Sequence, residues 1–333
     1  LADRGKLLVA LAGVVFSVAL VNVQGGLFLG LLRKAALLVE NGQADIWIGH
    51  QHMHNVDFPK DIPRQWIDRV KAVPGVEDAS PYLIATSEMT RPDGGYEVVF
   101  LVGTDRQTML GGAWNIVEGN VEDVRQSNAV IVDCADDGKL GNPSVGELRE
   151  IGRQRARIVA KSQGIAGFLV APYVFTTFER AAAYSGKDLD HCSYILVQLA
   201  PGADVTTVSK LIQDRLPDAE VFPKQTFANI SIDFWMRRTG LGISFGAATL
   251  LGLVIGLVMV AQTMYAMVLD RLAEFGTLKA IGATPWQMAS LLLIQAIILA
   301  LVGSAFGLLI TAVIQSTFHS TQAPIVVPWW LLL

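Results

Sequence analysis

The sequence predicts an α+β membrane protein, in which a large polar α+β domain is inserted between the first and second helices of a transmembrane helical bundle. Hydrophobic residues make up 52% of the 333 residues and mean hydropathy is positive, which is more apolar than ordinary soluble proteins. Long apolar runs cover residues 7–32, 241–269 and 288–314, and each run is long enough to cross a bilayer. The polar block 33–238 is long enough to bury a core of its own.

The first element is the apolar run 7–32, which together with the preceding residues gives an N-terminal segment 1–32. The run exceeds the apolar core of a signal peptide, about 7 to 15 residues, and no convincing cleavage site closes it, so it is predicted to stay as a transmembrane helix. Asn22 and Gln24 lie inside the run and should face other helices, because amides are costly against lipid. Glycine pairs four residues apart allow helices to approach closely, and they occur in all three runs: Gly26 and Gly30, Gly242 and Gly246, Gly252 and Gly256, Gly303 and Gly307.

The polar block is predicted to contain two βαβ-like units, one near each end, with a β-rich middle. Short apolar or alternating runs predict strands over residues 44–49, 82–89, 96–103, 129–133, 148–151, 156–160, 193–199 and 220–222. Helical spacing predicts helices over residues 59–72 and 204–216. Pro92 to Gly95 predict a hairpin turn. Phe234, Trp235, Arg237 and Arg238 at the end of the block are typical of a membrane interface.

The segment 270–285 is a polar stretch between the second and third runs. Its apolar residues recur about every three positions, at Leu272, Phe275, Leu278 and Ile281, and this spacing predicts one apolar stripe on a short helix. The charged residues Arg271, Glu274 and Lys279 lie off that stripe. Gly282 predicts the end of the helix, and a capping box formed by Thr284 and Gln287 around Pro285 predicts the start of the next one.

This segment carries a family resemblance. Nine of its residues resemble a motif of FtsX/MacB-type ABC transporter permeases: Arg271, Glu274, Phe275, Gly276, Leu278, Lys279, Ala280, Gly282 and Ala283. Phe275 and Lys279 depart from the commoner Ile and Arg of the family. The longer phrase from Arg271 to Ala280 is similar to the DevC branch. A plainer interpretation of the same pattern is an amphipathic linker at the membrane surface between two spans.

The resemblance implies that the segment is a coupling helix that docks on a cytoplasmic ABC ATPase, with Ile281 and Thr284 added to the nine motif residues as its contact set. It further implies a homodimeric, non-catalytic permease subunit of an exporter in the inner membrane, multi-pass and surrounded by membrane lipid. A membrane-fusion protein and an outer-membrane channel are the expected further partners. The DevC branch suggests lipid or glycolipid export. The alternative is a non-transporting scaffold of the FtsX type that regulates a cell-wall hydrolase.

The domain boundaries follow from the same resemblance. Residues 33–238 correspond to a MacB-like periplasmic core, and residues 239–333 to an FtsX-like permease domain whose fourth helix begins at about residues 328–333. Basic residues flank the spans on both sides, so the positive-inside rule does not orient the chain. The resemblance alone places the large domain in the periplasm.

Several site chemistries are excluded or weak. The chain has no phosphate-binding loop of the G-x-x-x-x-G-K-[ST] type, so nucleotide must bind to a partner and no cofactor is expected. A net charge of −4 without a basic patch argues against nucleic acid. Gly242, Ser244 and Gly246 match the nucleophile motif G-x-S-x-G, but they lie in a membrane run and not at a strand end.

Two groups of side chains remain open. His50, His52 and His54 would share one face of an extended segment, yet no cysteine and no clear acidic ligand completes a metal site, with Asp57 the nearest candidate. No metal site is therefore predicted. Cys134 and Cys192 either pair in an oxidising compartment or remain buried free thiols.

Overall fold

The computed structural model describes residues 2–169 and 171–317. The chain divides into two compact units: a membrane unit, Leu1–Gly30 with Gly240–Leu333, and a domain, Leu31–Thr239. In chain order the helices are α1 (Ala2–Lys34), α2 (Leu37–Asn41), α3 (Trp66–Lys71), α4 (Asp137–Leu140), α5 (Phe178–Ser185), α6 (Val205–Arg215), α7 (Lys224–Asp233), α8 (Leu241–Asp270), α9 (Leu272–Ala280) and α10 (Pro285–Thr317). The start of the predicted fourth helix, residues 328–333, lies outside the described residues.

Three helices of the described chain are long and apolar enough to cross a membrane. Their candidate spans are Leu11–Lys34 within α1, Leu241–Asp270 in α8 and Pro285–Thr317 in α10. Each contains one of the three predicted runs or most of it, so the prediction of three apolar helices is confirmed. Most large apolar side chains of α8 and α10 are exposed, which is what a lipid-facing surface requires.

Helix α1 packs against α8 and α10 through glycines. A Cβ built on Gly256 would lie 2.5 Å from the Ser17 hydroxyl, and one on Gly303 would lie 2.5 Å from Val14 Cγ1. Gly252 and Gly307, the other members of these two pairs, meet Val21 and Val18 of α1 at 3.0 and 2.8 Å. The predicted close approach is confirmed for both pairs. By contrast, a Cβ on Gly246 would meet nothing within 4 Å.

Polar groups inside the membrane unit are satisfied mainly by backbone carbonyls. Ser17 donates to the Gly252 carbonyl at 2.6 Å. Asn22 is 4% exposed, which agrees with the expectation that it faces other helices. Its Oδ1 has no hydrogen bond to the described residues, while its side-chain amide donates to the Val18 carbonyl of the same helix at 2.9 Å. Such pairing is necessary because an unsatisfied polar group in the apolar interior of a bilayer is costly.

The strands of the domain are β1 (Ile46–His50), β2 (Ile62–Pro63), β3 (Val76–Thr90), β4 (Tyr96–Thr104), β5 (Ile116–Gly119), β6 (Ala129–Asp133), β7 (Leu148–Ile151), β8 (Gln154–Ser162), β9 (Tyr173–Thr177), β10 (His191–Cys192), β11 (Tyr194–Leu199) and β12 (Ala219–Pro223). Ten of them form one mixed sheet with the order β12-β1-β11-β3-β4-β9-β6-β8-β5, with β7 beside β3 and β8. The eight predicted strands are all present.

Two interleaved βαβ units build one end of this sheet. Strand β1 is antiparallel to both β11 and β12, and β11 is antiparallel to β3. Consequently β1-α3-β3 and β11-α6-β12 are each parallel pairs split by a strand of the other unit, as in ferredoxin-like folds. The two predicted βαβ-like units are confirmed.

The β-rich middle is inserted between β3 and β11 and continues the same sheet. Strands β3 and β4 form the predicted hairpin, whose turn is closed by the Arg91 amide donating to the Gly95 carbonyl at 2.8 Å. Strand β4 then runs parallel to β9. Near the β5 edge of the sheet, the buried Asp133 carboxylate accepts hydrogen bonds from the Ser162 hydroxyl and the Ile165 amide, both at 2.8 Å. These bonds connect β6 to the end of β8 and to the loop that follows it.

The two faces of the sheet have different cores. Alternate residues along a strand point to opposite faces, so Ile46 and Ile48 join an aliphatic core that α3, α5 and α6 cover. Trp47 between them joins a second core with Tyr82, Tyr194 and Phe227. In this aromatic core the ring of Trp47 meets those of Tyr82 and Tyr194 edge to face, with centroids 5.3 and 5.4 Å apart.

Two sequence expectations are corrected. The helix predicted over residues 59–72 is reduced to α3, because Ile62 and Pro63 form the short strand β2, which pairs with β10. Proline has no amide hydrogen and does not fit a helix interior. Trp235, expected at a membrane interface, is 7% exposed and packs inside the domain against Phe168, with centroids 3.9 Å apart.

Candidate coupling site

The site is built on α9, a nine-residue helix between the two long helices α8 and α10. Gly282 has φ +101°, a left-handed conformation that favours glycine. Its amide donates to the Lys279 carbonyl at 3.1 Å, and the Ala283 amide donates to the Leu278 carbonyl at 3.0 Å. This pair of bonds is a Schellman motif, and it ends the helix where the sequence predicts.

The next helix begins with the predicted capping box. The Thr284 amide donates to Gln287 Oε1 at 2.9 Å, and the Gln287 amide donates to Thr284 Oγ1 at 3.4 Å. These reciprocal bonds satisfy two amides that an open helix start would leave without partners. Because both ends of the connection are capped, the stretch from α9 to α10 has a defined backbone geometry.

None of the residues of α9 is buried. Within the predicted apolar stripe Phe275 is half-buried, while Leu272 and Ile281 are 58% and 85% exposed. The Arg271 guanidinium lies 3.8 Å from the Glu274 carboxylate, and the two side chains are 48% and 70% exposed. Such an exposed pair contributes little to stability. The helix therefore presents both charged and apolar groups on its surface.

The predicted contact residues all fall in this one segment. A Cβ built on Gly276 would meet nothing within 4 Å, which marks an open side of the helix. Leu278, Lys279 and Ala280 are exposed, and Ala283 is half-buried in the connection. Beneath the helix lies a cavity of about 470 Å³ between α1, α8, α9 and α10, lined by Leu11, Met264, Met267, Arg271, Glu274, Phe275, Leu278, Leu291, Leu292, Gln295, Ile298, Leu299 and Val302.

The alternative chemistries find little support in the geometry. Strand β1 ends at His50, and His52 has φ +61°, so the extended segment that would align the three imidazoles does not exist. No cluster of metal-ligand residues occurs within residues 2–169 and 171–317. The glycines of the G-x-S-x-G match lie near the start of α8, where Ser244 donates to the Gly240 carbonyl at 3.1 Å. This helical context is not that of a nucleophile.

Cys134 and Cys192 are free thiols and do not pair with each other. Cys192 is buried and its thiol faces the Ile62 carbonyl at 3.8 Å. Burial raises its pKa to about 12, and burial likewise raises the pKa of Cys134. Both sulfurs stay protonated near neutral pH and are poor nucleophiles.

One buried acidic site was not predicted from the sequence. Asp57, considered there only as a metal ligand, is 5% exposed and lies inside the domain, where the Tyr173 hydroxyl donates to its Oδ1 at 2.8 Å. The residues that enclose it are distant in sequence, so no local pattern indicates its burial.

Comparisons with known proteins agree with these features. Residues 7–215 match the family model of the MacB-like periplasmic core domain, and residues 246–333 match the FtsX-like permease C-terminal model. Comparison with curated proteins gives no match.

Three solved structures of bacterial proteins are similar to the chain. The periplasmic region of MacB from Actinobacillus actinomycetemcomitans is 11% identical, with a TM-score of 0.44 over 58% of this chain and 96% of that one. The extracellular domain of the noncanonic ABC-type transporter YknZ from Gram-positive bacteria is 14% identical, with a TM-score of 0.40 over 53% and 98% of the two chains. A domain of a putative permease from Porphyromonas gingivalis is 12% identical, with a TM-score of 0.39 over 54% and 91%.

The MacB-like model alone covers more than half of the chain, and the permease model includes the whole of α9 and its caps. Members of this family are membrane subunits of ABC systems that associate with an ATPase partner and are generally not catalytic themselves. The chain therefore belongs to the family of FtsX/MacB-type ABC transporter permeases, membrane proteins with a MacB-like periplasmic core domain.

Proposed function

We propose that this chain is the permease subunit of an ABC-type exporter and transmits ATP-driven motion from a cytoplasmic ATPase to its periplasmic domain. The observation that carries the proposal is α9, a short helix without a buried residue that bears the family motif and joins two membrane-crossing helices. Movement of the ATPase would push on α9. Helix α8, continuous from Leu241 to Asp270, would carry the displacement across the membrane.

The local structure of α9 supports a role in docking. The Schellman motif at Gly282 and the capping box at Thr284 fix the chain between α9 and α10, so a force on α9 reaches α10 without being absorbed by a flexible loop. The cavity beneath α9 leaves the helix few buried apolar contacts, and such an element shifts at low energetic cost. Exposed Arg271 and Glu274 supply charges for recognition of a partner.

The charge reversal Glu274→Arg tests the docking role. Within the helix it places two arginines one turn apart, which costs a few tenths of a kcal/mol at an exposed pair. Across an interface, opposing like charges cost several kcal/mol, and ~3 kcal/mol corresponds to a hundredfold weaker association. We expect normal membrane levels of the variant, together with loss of ATPase copurification and of stimulated ATP hydrolysis.

The chain offers a matched control in the domain. Glu122 and Arg125 form another exposed i,i+3 pair, 3.1 Å apart, with side chains 57% and 41% exposed. Glu122→Arg makes the same charge change in an exposed ion pair far from α9 in sequence, so it should leave ATPase binding intact. If Glu274→Arg binds and stimulates the ATPase as the parent does, α9 is not the coupling site.

The finer assignments rest on the resemblance. We propose a multi-pass homodimer of four-helix subunits in the inner membrane, working with a membrane-fusion protein and an outer-membrane channel, and exporting a lipid or glycolipid as the DevC branch suggests. Copurification of a fusion protein and a channel supports export. Copurification of a peptidoglycan hydrolase in their place supports the FtsX-type scaffold and overturns the exporter.

A further inference from the structure

The Asp57 carboxylate lies in a closed, mostly aromatic site of the domain. Its loop is held in place by Tyr194, whose hydroxyl donates to the Val56 carbonyl at 3.0 Å, and the Asp57 amide donates to Asn55 Oδ1 at 2.5 Å. Asn55 and Val56 are buried as well, at 3% and 1% exposed. The carboxylate is therefore fixed in position and shielded from solvent, where a negative charge is costly.

Three buried polar atoms at this site have no hydrogen bond to the described residues: Oδ2 of Asp57, the indole Nε1 of Trp235 and Nδ2 of Asn55. Oδ1 of Asp57, by contrast, accepts from Tyr173. Asp57 and Trp235 are neighbours, since the Trp235 ring packs on Phe58, the residue that follows Asp57. An acceptor and a donor that are both buried and unpaired each carry a desolvation penalty, and a small approach of the two satisfies both.

Trp235 connects this site to the membrane helix. It lies in a π-helical turn, Phe234–Arg238, that follows α7 directly. The turn is followed by Gly240 with φ +75°, and α8 starts at Leu241. The Trp235 ring packs on Phe168 and on Phe58, the residue after Asp57, with centroids 3.9 and 6.1 Å apart. The position of the indole is therefore linked to the start of α8 by only a few residues of chain.

We propose that Asp57 is a proton-responsive positioning residue: its ionised carboxylate holds the indole N–H of Trp235 and fixes the π-helical turn before α8, and protonation releases that turn. The hydrogen-bonding capacity of the carboxyl group decides which protonation state of Asp57 holds the indole. Oδ1 already accepts the Tyr173 hydroxyl, so an added proton resides on Oδ2. A protonated Oδ2 carries its own hydrogen and no negative charge, so the indole N–H loses the charge-assisted acceptor that holds it.

Among the titratable groups of the site, Asp57 is the one that changes its protonation state near neutral pH. Burial raises its pKa to about 6, while the Tyr173 and Trp235 donors act in the opposite direction. The titratable groups that face it from β3, β9 and β11, within the described chain, are the phenols of Tyr82, Tyr173 and Tyr194. Burial and the Asp57 charge raise the pKa of all three, so they remain neutral. The site is thus sensitive to mildly acidic pH.

Fluorine NMR of the full chain labelled with 5-fluorotryptophan, in lipid nanodiscs, tests the titration. The Trp235 resonance, assigned with Trp235→Phe, should move between pH 4.5 and 8 with one midpoint at about 6. Asp57→Asn should abolish this movement, and Tyr173→Phe should shift the midpoint to higher pH, because a donor to the charged form is lost. Asp136→Asn removes another buried carboxyl of raised pKa and should leave the Trp235 midpoint unchanged.

Hydrogen exchange tests the release of the turn. At pH 7.5 the amides of residues 234–238 should exchange about tenfold faster in Asp57→Asn than in the parent, since about 1.4 kcal/mol of stabilisation is a factor of ten. At pH 5 these amides should exchange alike in the two chains, and the amides of α6 should not exchange faster in the variant at either pH. The proposal is overturned if the chemical shift of Trp235 does not change with pH in the parent. It is also overturned if that shift keeps the same midpoint in Asp57→Asn. If Asp57→Asn does not fold, the Trp235 midpoint in Tyr173→Phe decides, because the proposal requires that this midpoint move to higher pH.

Discussion

At the scale of single residues, Asp57 shows how burial changes the chemistry of a side chain, because burial raises its pKa to about 6. The sequence could not predict its environment, because the groups that enclose it come from residues 173, 194 and 235, far along the chain. Cys192 is better predicted: a free thiol is usually buried and inert, and no local geometry is needed to expect that. The sequence thus predicts the burial of Cys192, which follows from the residue type. It does not predict the burial of Asp57, which depends on contacts between residues distant in the chain.

We predict a pH-dependent difference in stability between the parent and Asp57→Asn. The pKa of Asp57 is about 6 in the folded chain against an ordinary 3.8, so folding favours the protonated form. Its contribution is fully present below about pH 3.8 and is lost as pH rises through about 6. The parent should lose about 3 kcal/mol relative to the variant between pH 3.5 and 8. Denaturant unfolding measures this, and parallel curves would contradict it.

The histidines of residues 50–54 should be functionally silent. His50 Nδ1 is within 2.9 Å of the Gln51 carbonyl, and the His52 amide donates to Glu220 at 2.7 Å, so the segment is organised by its own turn. Replacing His50, His52 and His54 together by Ala should change neither export nor bound metal. A stoichiometric metal in the parent that disappears in the triple variant, measured by elemental analysis, would refute this.

At the scale of elements, the sequence predicts the long helices and the capped segment around α9. It does not predict a strand that is buried on both faces or a helix of only eight residues. The long helices and the capped segment around α9 follow from apolar length, Gly282 and Thr284. Strand β9 was missed because it lies between β4 and β6 and is buried on both faces, which removes the polar alternation of a surface strand. Helix α5 was missed because its eight residues offer too few turns for a periodic signal.

The contact of α10 with α1 should be sensitive to side-chain volume at Gly303. A Cβ there already lies 2.5 Å from Val14, so Gly303→Ile should overpack the contact and lower the free energy of unfolding by roughly 1–3 kcal/mol. Gly246→Ile adds the same side chain in open space and should cost far less. Thermal unfolding in nanodiscs compares the two variants. Equal losses would show that the helices do not pack closely at Gly303.

For the whole molecule, the proposed topology predicts which surfaces are accessible from which side of the membrane. Asp93 lies in the exposed β3–β4 turn, where its side chain is 59% exposed. In a chain whose Cys134 and Cys192 are replaced by Ala, Asp93→Cys should react with a membrane-impermeant maleimide in cells whose outer membrane is permeabilised. Thr277→Cys in α9 should react only after the inner membrane is opened. The reverse pattern would invert the proposed topology.

The position of β1 in the sheet has a consequence for biosynthesis. Its two neighbours are β11 and β12, so Trp47 pairs with Leu196 and with Phe222. Until the ribosome has made those late strands, the first strand of the domain has no partner on either side. Closing so long a loop is slow. We therefore expect β1 to stay unpaired and prone to aggregation until shortly before α8 is synthesised, and a chain truncated before residue 194 should leave β1 without either of its partner strands.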